Sequence, residues 1–355
     1  MGVSILAINP GSTSTKISVY EDDREIFTSN LDHPAKELEK YGKVADQFEM
    51  RKEAILQVLR DKGIEISSLS AVVGRGGMVP SVKSGAYIVN DRMADRLRNA
   101  PVVEHASNLG ALIAYEIANE AGVRAYIYDS VRVDEMIDIA RISGLPEIPR
   151  TSTTHALNSR AMAMKLAERY GRKYSDMNFV VAHMGGGISV SVHEKGQIVD
   201  VIADDEGTFS PERAGRVPCK ALVDLCYSGK YDLKTMQKML RGNGGLKAYL
   251  GSTDVREIVK RIEGGDSYAA MVLEAMAYQV AKGIGELATV VNGEVQAIII
   301  TGGIAYSELM TSWIKKRVSF IAPVEIMPGE NEMESLAKGT LRVLRGEEEA
   351  REYVE

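Results

Sequence analysis

The chain has 355 residues, 45% hydrophobic and 26% charged, with a formal net charge of -6 at pH 7. That length predicts two domains rather than one core, and the negative balance gives no general electrostatic case for a nucleic-acid partner. No apolar run reaches the roughly 18 residues of a membrane span, no leader pattern opens the chain, and Cys219 and Cys226 offer neither a disulfide framework nor a fourfold metal set, so a soluble cytoplasmic protein is expected.

In chain order, residues 3–8 and 15–20 read as two strands around the turn "NPGSTSTK" (9–16). "SLSAVVGRGGMVP" (67–80) reads as a short apolar strand ending in a glycine-rich loop, and 107–122 as a helix stopped by Gly122. "RAYIYDS" (124–130) is a strand ending at Asp129. The proline-bearing segment "GLPEIPRTST" (144–153) marks a domain boundary, and 153–171 is a helix with hydroxyl residues near its start. Residues 178–200 give a strand, a triple-glycine turn at Gly185, Gly186 and Gly187, an alternating strand and a tight turn at Lys195–Gly196. Residues 295–316 give a buried strand, the turn Gly302–Gly303 and a helix. Residues 324–346 give a strand and a helix capped by Asn331, with Glu334 three positions on. This alternation predicts an α/β protein. Asn9 and His183 hold matching places in two similar hairpins, which suggests an internal duplication with one copy per domain.

The first turn sets four hydroxyl side chains, a glycine and a lysine after an apolar strand. Hydroxyls and backbone N–H groups donate to phosphate oxygens, and lysine adds a point charge. The pattern reads as a phosphate cradle, against the plainer alternative of a Ser/Thr-rich surface hairpin. It is not a Walker A loop, because Lys16 is followed by a strand rather than a helix. "HMGGGIS" is a poor dinucleotide fingerprint, with Val190 where a third glycine is expected. "HEKGQ" (193–197) lacks the second histidine of a zinc motif.

Three glycine or hydroxyl turns thus follow apolar strands, at 9–16, 183–189 and 301–305. Together they resemble the nucleotide site of the actin/sugar-kinase/Hsp70 (ASKHA) fold, with two duplicated ribonuclease H-like domains and ATP in an interdomain cleft. The stretches "NPGSTSTK", "VVGRGG", "EHASNLG", "YDS", "TSTTH", "VVAHMGGGISVSV", "GTFSPERAG", "IITGGIAYS" and "NEMESLA" occur in the order and spacing of the acetate and butyrate kinase family. The chain resembles that family over nearly its whole length. The resemblance implies transfer of the ATP γ-phosphoryl group to a short-chain carboxylate with Mg²⁺, giving an acyl phosphate and ADP. It also implies a homo-oligomer. The expected domains are 1–148 with a returning 331–355, and 149–330.

The resemblance assigns roles residue by residue. Asn9, Ser12, Ser14 and Lys16 match the first phosphate motif, with Gly185, Gly186 and Gly187 in the second. Arg75 grips the substrate carboxylate or the moving phosphoryl group. Asp129 holds Mg²⁺ or its waters, or positions an arginine. His183 donates to the transferring phosphoryl group. Arg213 or Arg216 is the second catalytic arginine, with Arg213 in register with the preceding Pro-Glu. Glu332 matches a Mg²⁺-linked glutamate, although Glu334 is close. Gly302, Gly303 and Ile304 form an adenosine platform, and Asp254 is a nucleotide-site aspartate or a simple helix cap. His105 and His155 match family histidines, but Thr151 stands where acetate kinases carry another.

Acetate kinases have two bulky residues where this chain has Gly76 and Gly77. Smaller side chains leave room for extra methylenes, each worth about 0.8 kcal/mol when buried. Butyrate or a branched C4–C5 acid is therefore expected over acetate, with Met78, Val79 and Pro211 as wall residues. A hydroxyl-directed kinase of the same fold and a non-catalytic nucleotide-binding filament are the other two readings of these residues.

Overall fold

The structure, a computed structural model, describes residues 2–354. The chain divides into two compact units, Met1–Asp134 with Asn331–Glu355, and Glu135–Glu330. The sequence reading sets the first boundary later, at 148/149. Residues 135–148 instead bond into the second unit: Ile137 N donates to Val199 O at 3.0 Å and Ile198 N to Glu135 Oε2 at 3.1 Å.

The first unit is built on seven strands: β1 (Ser4–Pro10), β2 (Ser14–Glu21), β3 (Arg24–Asp32), β4 (Ala71–Arg75), β5 (Ala86–Ile88), β6 (Arg124–Tyr128) and β12 (Arg351–Glu352). Their order is β12-β5-β6-β4-β1-β2-β3. The second unit has five: β7 (Asn178–Met184), β8 (Ile188–Glu194), β9 (Gln197–Ile202), β10 (Ala297–Gly302) and β11 (Val324–Pro328), in the order β11-β10-β7-β8-β9. β1 pairs antiparallel with β2 and parallel with β4, and β4 pairs parallel with β6. β7 repeats this with β8, β10 and β11. The five strands β6-β4-β1-β2-β3 therefore share order and direction with β11-β10-β7-β8-β9, and the two hairpins recognised in sequence are the same element in each unit.

β1 and β7 are central strands covered on both faces, which is why each reads as an unbroken apolar run. Alternate residues of β7 feed different cores. Val180, Ala182 and Met184 pack with the Ser267–Ala288 helix, whereas Phe179 and Val181 pack with the Ala156–Arg169 helix. His183 belongs to the second series, so its ring is aimed at the start of the Ala156–Arg169 helix. In the first unit, Leu6 and Ile8 pack with the Asn108–Ala121 helix, which ends at Gly122 in the left-handed region (φ 70°). The Glu332–Leu344 helix packs on β1, β4 and β6. Asn331 occupies its N-cap position, as expected, but in a left-handed conformation (φ 45°) and without a side-chain cap bond. In that conformation its side chain does not reach the first-turn N–H groups. No described helix is long and apolar enough to cross a membrane.

Candidate active site

In the first unit, the β1–β2 register places Asn9 opposite Lys16 and Pro10 opposite Thr15. Gly11 N closes the turn by donating to Ser14 O at 2.8 Å. Ser12, Thr13 and Lys16 are exposed and Ser14 is half-buried, so these hydroxyls and the ammonium of the expected cradle are accessible, whereas Thr15 is buried with its hydroxyl bonded to Arg51 and His33. The underside of the turn is held by Arg51, a residue the motif reading passed over. Its helix, Phe48–Asp61, buries Arg51, Ile55 and Leu59 on one face. A charged residue on an apolar i, i+4, i+8 stripe was the available signal.

The carboxyl ends of β1, β4 and β6 carry Asn9, Arg75 and Asp129, the edge of an α/β sheet where ligands commonly bind. Asn9 Nδ2 donates to Glu332 Oε2, and Arg75 Nη1 pairs with Glu332 Oε1. Glu332 opens its helix, where the helix dipole favours a negative charge. The sequence motifs did not reveal this pairing, because its partners lie 257 residues apart. Asp129 is 2% exposed and takes a left-handed conformation (φ 40°). Gly85 fixes it twice: Gly85 N donates to Asp129 Oδ1 at 2.7 Å, and Asp129 N donates to Gly85 O at 3.1 Å. A non-glycine residue held there is strained, and such strain clusters at functional sites. Glu334 makes an i,i+4 pair with Lys338 at 2.7 Å.

In the second unit, the rings of His155 and His183 stack at 3.9 Å with an interplanar angle of 8°. Asn158 Nδ2 lies 3.0 Å from His183 Nδ1 and donates to Thr301 Oγ1 at 3.0 Å. An amide donating to Nδ1 leaves the proton of a neutral imidazole on Nε2. A Cβ on Gly185 would stand 3.4 Å from that Nε2, so the nitrogen sits at the triple-glycine turn. His155 Nδ1 is 2.9 Å from Ser189 Oγ. Arg213 pairs with Asp204, which Arg241 Nη2 also reaches at 3.2 Å. Burial, and then the Arg241 charge, lower the Arg213 pKa to about 10. A Cβ on Gly187 would come within 2.7 Å of Arg213 Cζ, so this glycine makes room for the guanidinium. Arg216 is exposed and pairs with Glu286 at 3.3 Å.

The same unit contains a cavity of about 1480 Å³, larger than the roughly 300–1,000 Å³ usual for small ligands. Its walls are Gly185 and Gly186, the 211–212 segment, the start of the Val255–Glu263 helix, and Gly303, Ile304 and Tyr306 after β10, with Glu330. Gly302 ends β10 at φ 89°, and a Cβ there would meet Met184 backbone atoms. Asp254 is both a wall residue and a helix N-cap: its side chain accepts from Arg256 N at 2.9 Å and pairs with Arg256 Nη2 at 2.7 Å. The Arg256 side-chain hydrogen bond lowers the Asp254 pKa to about 2. Lys260 and Tyr306 are wall residues that the motif reading did not single out.

The acyl-side expectations fare differently. A Cβ on Gly76 would meet Ser130 Cβ at 2.7 Å, and one on Gly77 would meet Asn108 Cα at 2.7 Å and Leu97 Cδ2 at 2.8 Å. Their missing side chains accommodate neighbouring chain rather than open a pocket. Val79 is 0% exposed inside the first unit's core, so its side chain is not an open wall. Pro211 lines the large cavity with Asp254 and Ile304. His105 is exposed, with Nδ1 2.8 Å from Ser107 Oγ.

A sequence model of the acetokinase family matches residues 150–327. Butyrate kinase 2 of Clostridium acetobutylicum is 52% identical over 355 residues, covering 99% of this chain and 100% of that protein. The crystal structure of Porphyromonas gingivalis acetate kinase superposes with a TM-score of 0.80 at 19% identity, covering 96% of this chain and 100% of that one. A propionate kinase from Francisella tularensis gives a TM-score of 0.75 at 15% identity, covering 94% and 98%. The fold is the two-sheet α/β arrangement of these kinases, of the ASKHA type, and the chain belongs to the acetokinase family.

Proposed function

We propose that this chain transfers the γ-phosphoryl group of ATP to butyrate, giving butyryl phosphate and ADP. End-to-end identity of 52% with a protein named butyrate kinase is the observation that carries this reading. A fatty acid is already ionised at pH 7, so the nucleophile needs no general base. The barrier lies in bringing an anion to a polyanion, and catalysis rests on positioning and charge stabilisation.

Asn9, Ser12, Ser14 and Lys16 bind β- and γ-phosphate oxygens. Gly302, Gly303, Ile304 and Asp254 hold the adenosine. His183 donates its Nε2 proton in a hydrogen bond to the transferring group, and the N–H groups of Gly186 and Gly187 face phosphate, while Gly185 N closes the turn on Gly187 O at 2.9 Å. Arg213 stabilises charge on the equatorial oxygens. Arg75 takes the carboxylate, with Glu332 keeping its guanidinium in place until substrate binds. Asp129 is held too tightly by Gly85 to sweep through the site and serves as a fixed anion. His105 lies on the acyl side, where chain length is selected by walls other than the Gly76–Gly77 turn.

Among the described residues no three His, Cys, Asp or Glu side chains cluster as a metal cage. Mg²⁺ in kinases keeps most of its waters and takes only one or two carboxylates, a demand that Asp129 and Glu332 fit as hard oxygen donors. Asp129 and Glu332 would hold the ion, which would supply positive charge against the negative charge of the phosphate oxygens.

The test is hydroxylamine trapping with ATP, Mg²⁺ and acetate, propionate, butyrate, isobutyrate or valerate. Acyl hydroxamate peaking at butyrate is the expected result. A peak at acetate overturns the acceptor but keeps the reaction, and no hydroxamate with any acid overturns both.

A further inference from the structure

Arg51 is 0% exposed and the largest fully buried side chain among the described residues. A hydrophobic residue in its place would complete the stripe with Ile55 and Leu59, so packing alone does not account for a charge here. No carboxylate interacts with Arg51 among the described residues; burial alone shifts its pKa, downward. Its donors instead go to the 11–15 turn. Nη1 donates to Gly11 O at 2.9 Å, Ser14 O at 3.0 Å and Thr15 Oγ1 at 3.0 Å. Nη2 donates to Ser12 O at 3.1 Å. Gln47 Oε1 aligns the guanidinium by accepting from Nε at 3.1 Å and from Nη2 at 2.8 Å.

These contacts fix the direction of the peptide groups. In a planar trans peptide the N–H points opposite to the C=O. With the carbonyls of Gly11 and Ser12 turned onto Arg51, the N–H groups of Ser12 and Thr13 point away from it. Neither N–H has an acceptor among the described residues. The Thr13 carbonyl is turned by a different donor, His33 N at 2.7 Å. Each carbonyl from Gly11 to Ser14 is thus satisfied within the protein, while two successive N–H groups are left outward, the arrangement of an anion-binding nest.

We propose that Arg51 is a positioning residue of the phosphate turn: it draws the carbonyls inward, presents the Ser12 and Thr13 N–H groups to a phosphate, and places an uncompensated positive charge beneath them. This rests on the phosphate-binding reading of residues 9–16. Arg51 touches no substrate. It lowers the cost of holding the turn in its binding conformation and adds a charge shielded from water, whose effect falls off less with salt than that of exposed Lys16.

The test titrates the full-length protein with adenosine, ADP and ATP by calorimetry, using Arg51→Met, Arg51→Lys, Gln47→Leu and Lys16→Ala, with Tm recorded for each. Arg51→Met is expected to weaken ATP by about tenfold or more, the scale of losing hydrogen bonds to a charged group, while adenosine affinity holds. Arg51→Lys restores part of the loss, because it returns the charge without the planar fork. Gln47→Leu gives a smaller shift in the same direction, and decides the matter where Arg51→Met does not fold. In steady state the loss enters through the KM for ATP, with the carboxylate KM unmoved. A merely structural arginine would lower Tm and scale all activity with the folded fraction, leaving the ATP-to-adenosine ratio constant. An unchanged ratio in the folded Arg51 or Gln47 variants, with Lys16→Ala shifting it, overturns the role of Arg51 and leaves the phosphate turn standing. An unchanged ratio in Lys16→Ala as well removes the phosphate reading and the proposal with it.

Discussion

Arg213 owes its placement to three neighbours: Asp204 pairs with it, Arg241 shares that carboxylate, and Gly187 leaves the volume its guanidinium fills. Arg216, three positions on, is 56% exposed at its side chain and pairs at the surface, where ion pairs contribute little. Arg75 is also largely buried and pairs with Glu332. With Arg213 on the transferring group and Arg75 on the carboxylate, as proposed, both should affect turnover more than nucleotide binding. Arg213→Ala and Arg75→Ala are each expected to lower kcat by about 10²–10³-fold, the scale of losing one preorganised donor. ATP affinity should change far less. Steady-state kinetics with ATP titration checks this, and near-normal turnover in either variant takes that arginine out of the reaction. Lysine should rescue Arg213 poorly, since the pocket beneath Gly187 fits a planar fork.

The recurring element is an apolar strand ending in a polar or glycine-rich turn, followed either by a hairpin partner or by a helix. The Val255–Glu263 helix shows why one residue in such an element has two roles. Asp254 caps the helix through Arg256 N and also lines the cavity. Asparagine caps nearly as well as aspartate but carries no charge. Asp254→Asn should therefore keep the wild-type Tm while raising the KM for ATP, whereas Asp254→Ala should lower Tm slightly as well. Differential scanning fluorimetry beside kinetics separates the two roles, and an unchanged KM in Asp254→Asn would reduce the residue to a cap.

Across the whole molecule, two units repeat one strand plan, and the second buries a histidine that no ligand reading needs. His193 is 0% exposed on β8, with Nδ1 2.7 Å from Tyr174 Oη and Nε2 2.9 Å from Ser191 Oγ. Burial, with a smaller contribution from Arg160, pushes its pKa down from 6.5 to about 3. Between those values the unfolded chain binds a proton that the folded chain refuses. Stability from this site is complete above pH 6.5 and is lost as pH falls toward 3. Urea midpoints should rise with pH across that window in the wild type and rise less steeply in His193→Gln. Equal slopes would show that His193 is not excluded from protonation.

The amino-acid sequence by itself determined the strand–turn plan, the repetition of the hairpin and the residues at the turns. Those features are local: an apolar run, a glycine and a hydroxyl declare themselves within about ten neighbouring residues. It also determined the family, because the spacing of the turns is kept along nearly the whole chain. Tertiary structure alone decided what lies beneath and beside each turn. Arg51 reaches the Gly11–Thr15 turn from about 40 residues away, and Glu332 closes on Arg75 from 257. The Gly76–Gly77 expectation went astray for the same reason. A missing side chain signals free volume only until the fold brings Ser130, Asn108 and Leu97 into it. Glycine in sequence records that something approaches closely, and only the packed structure identifies whether that is a ligand or the protein's own chain.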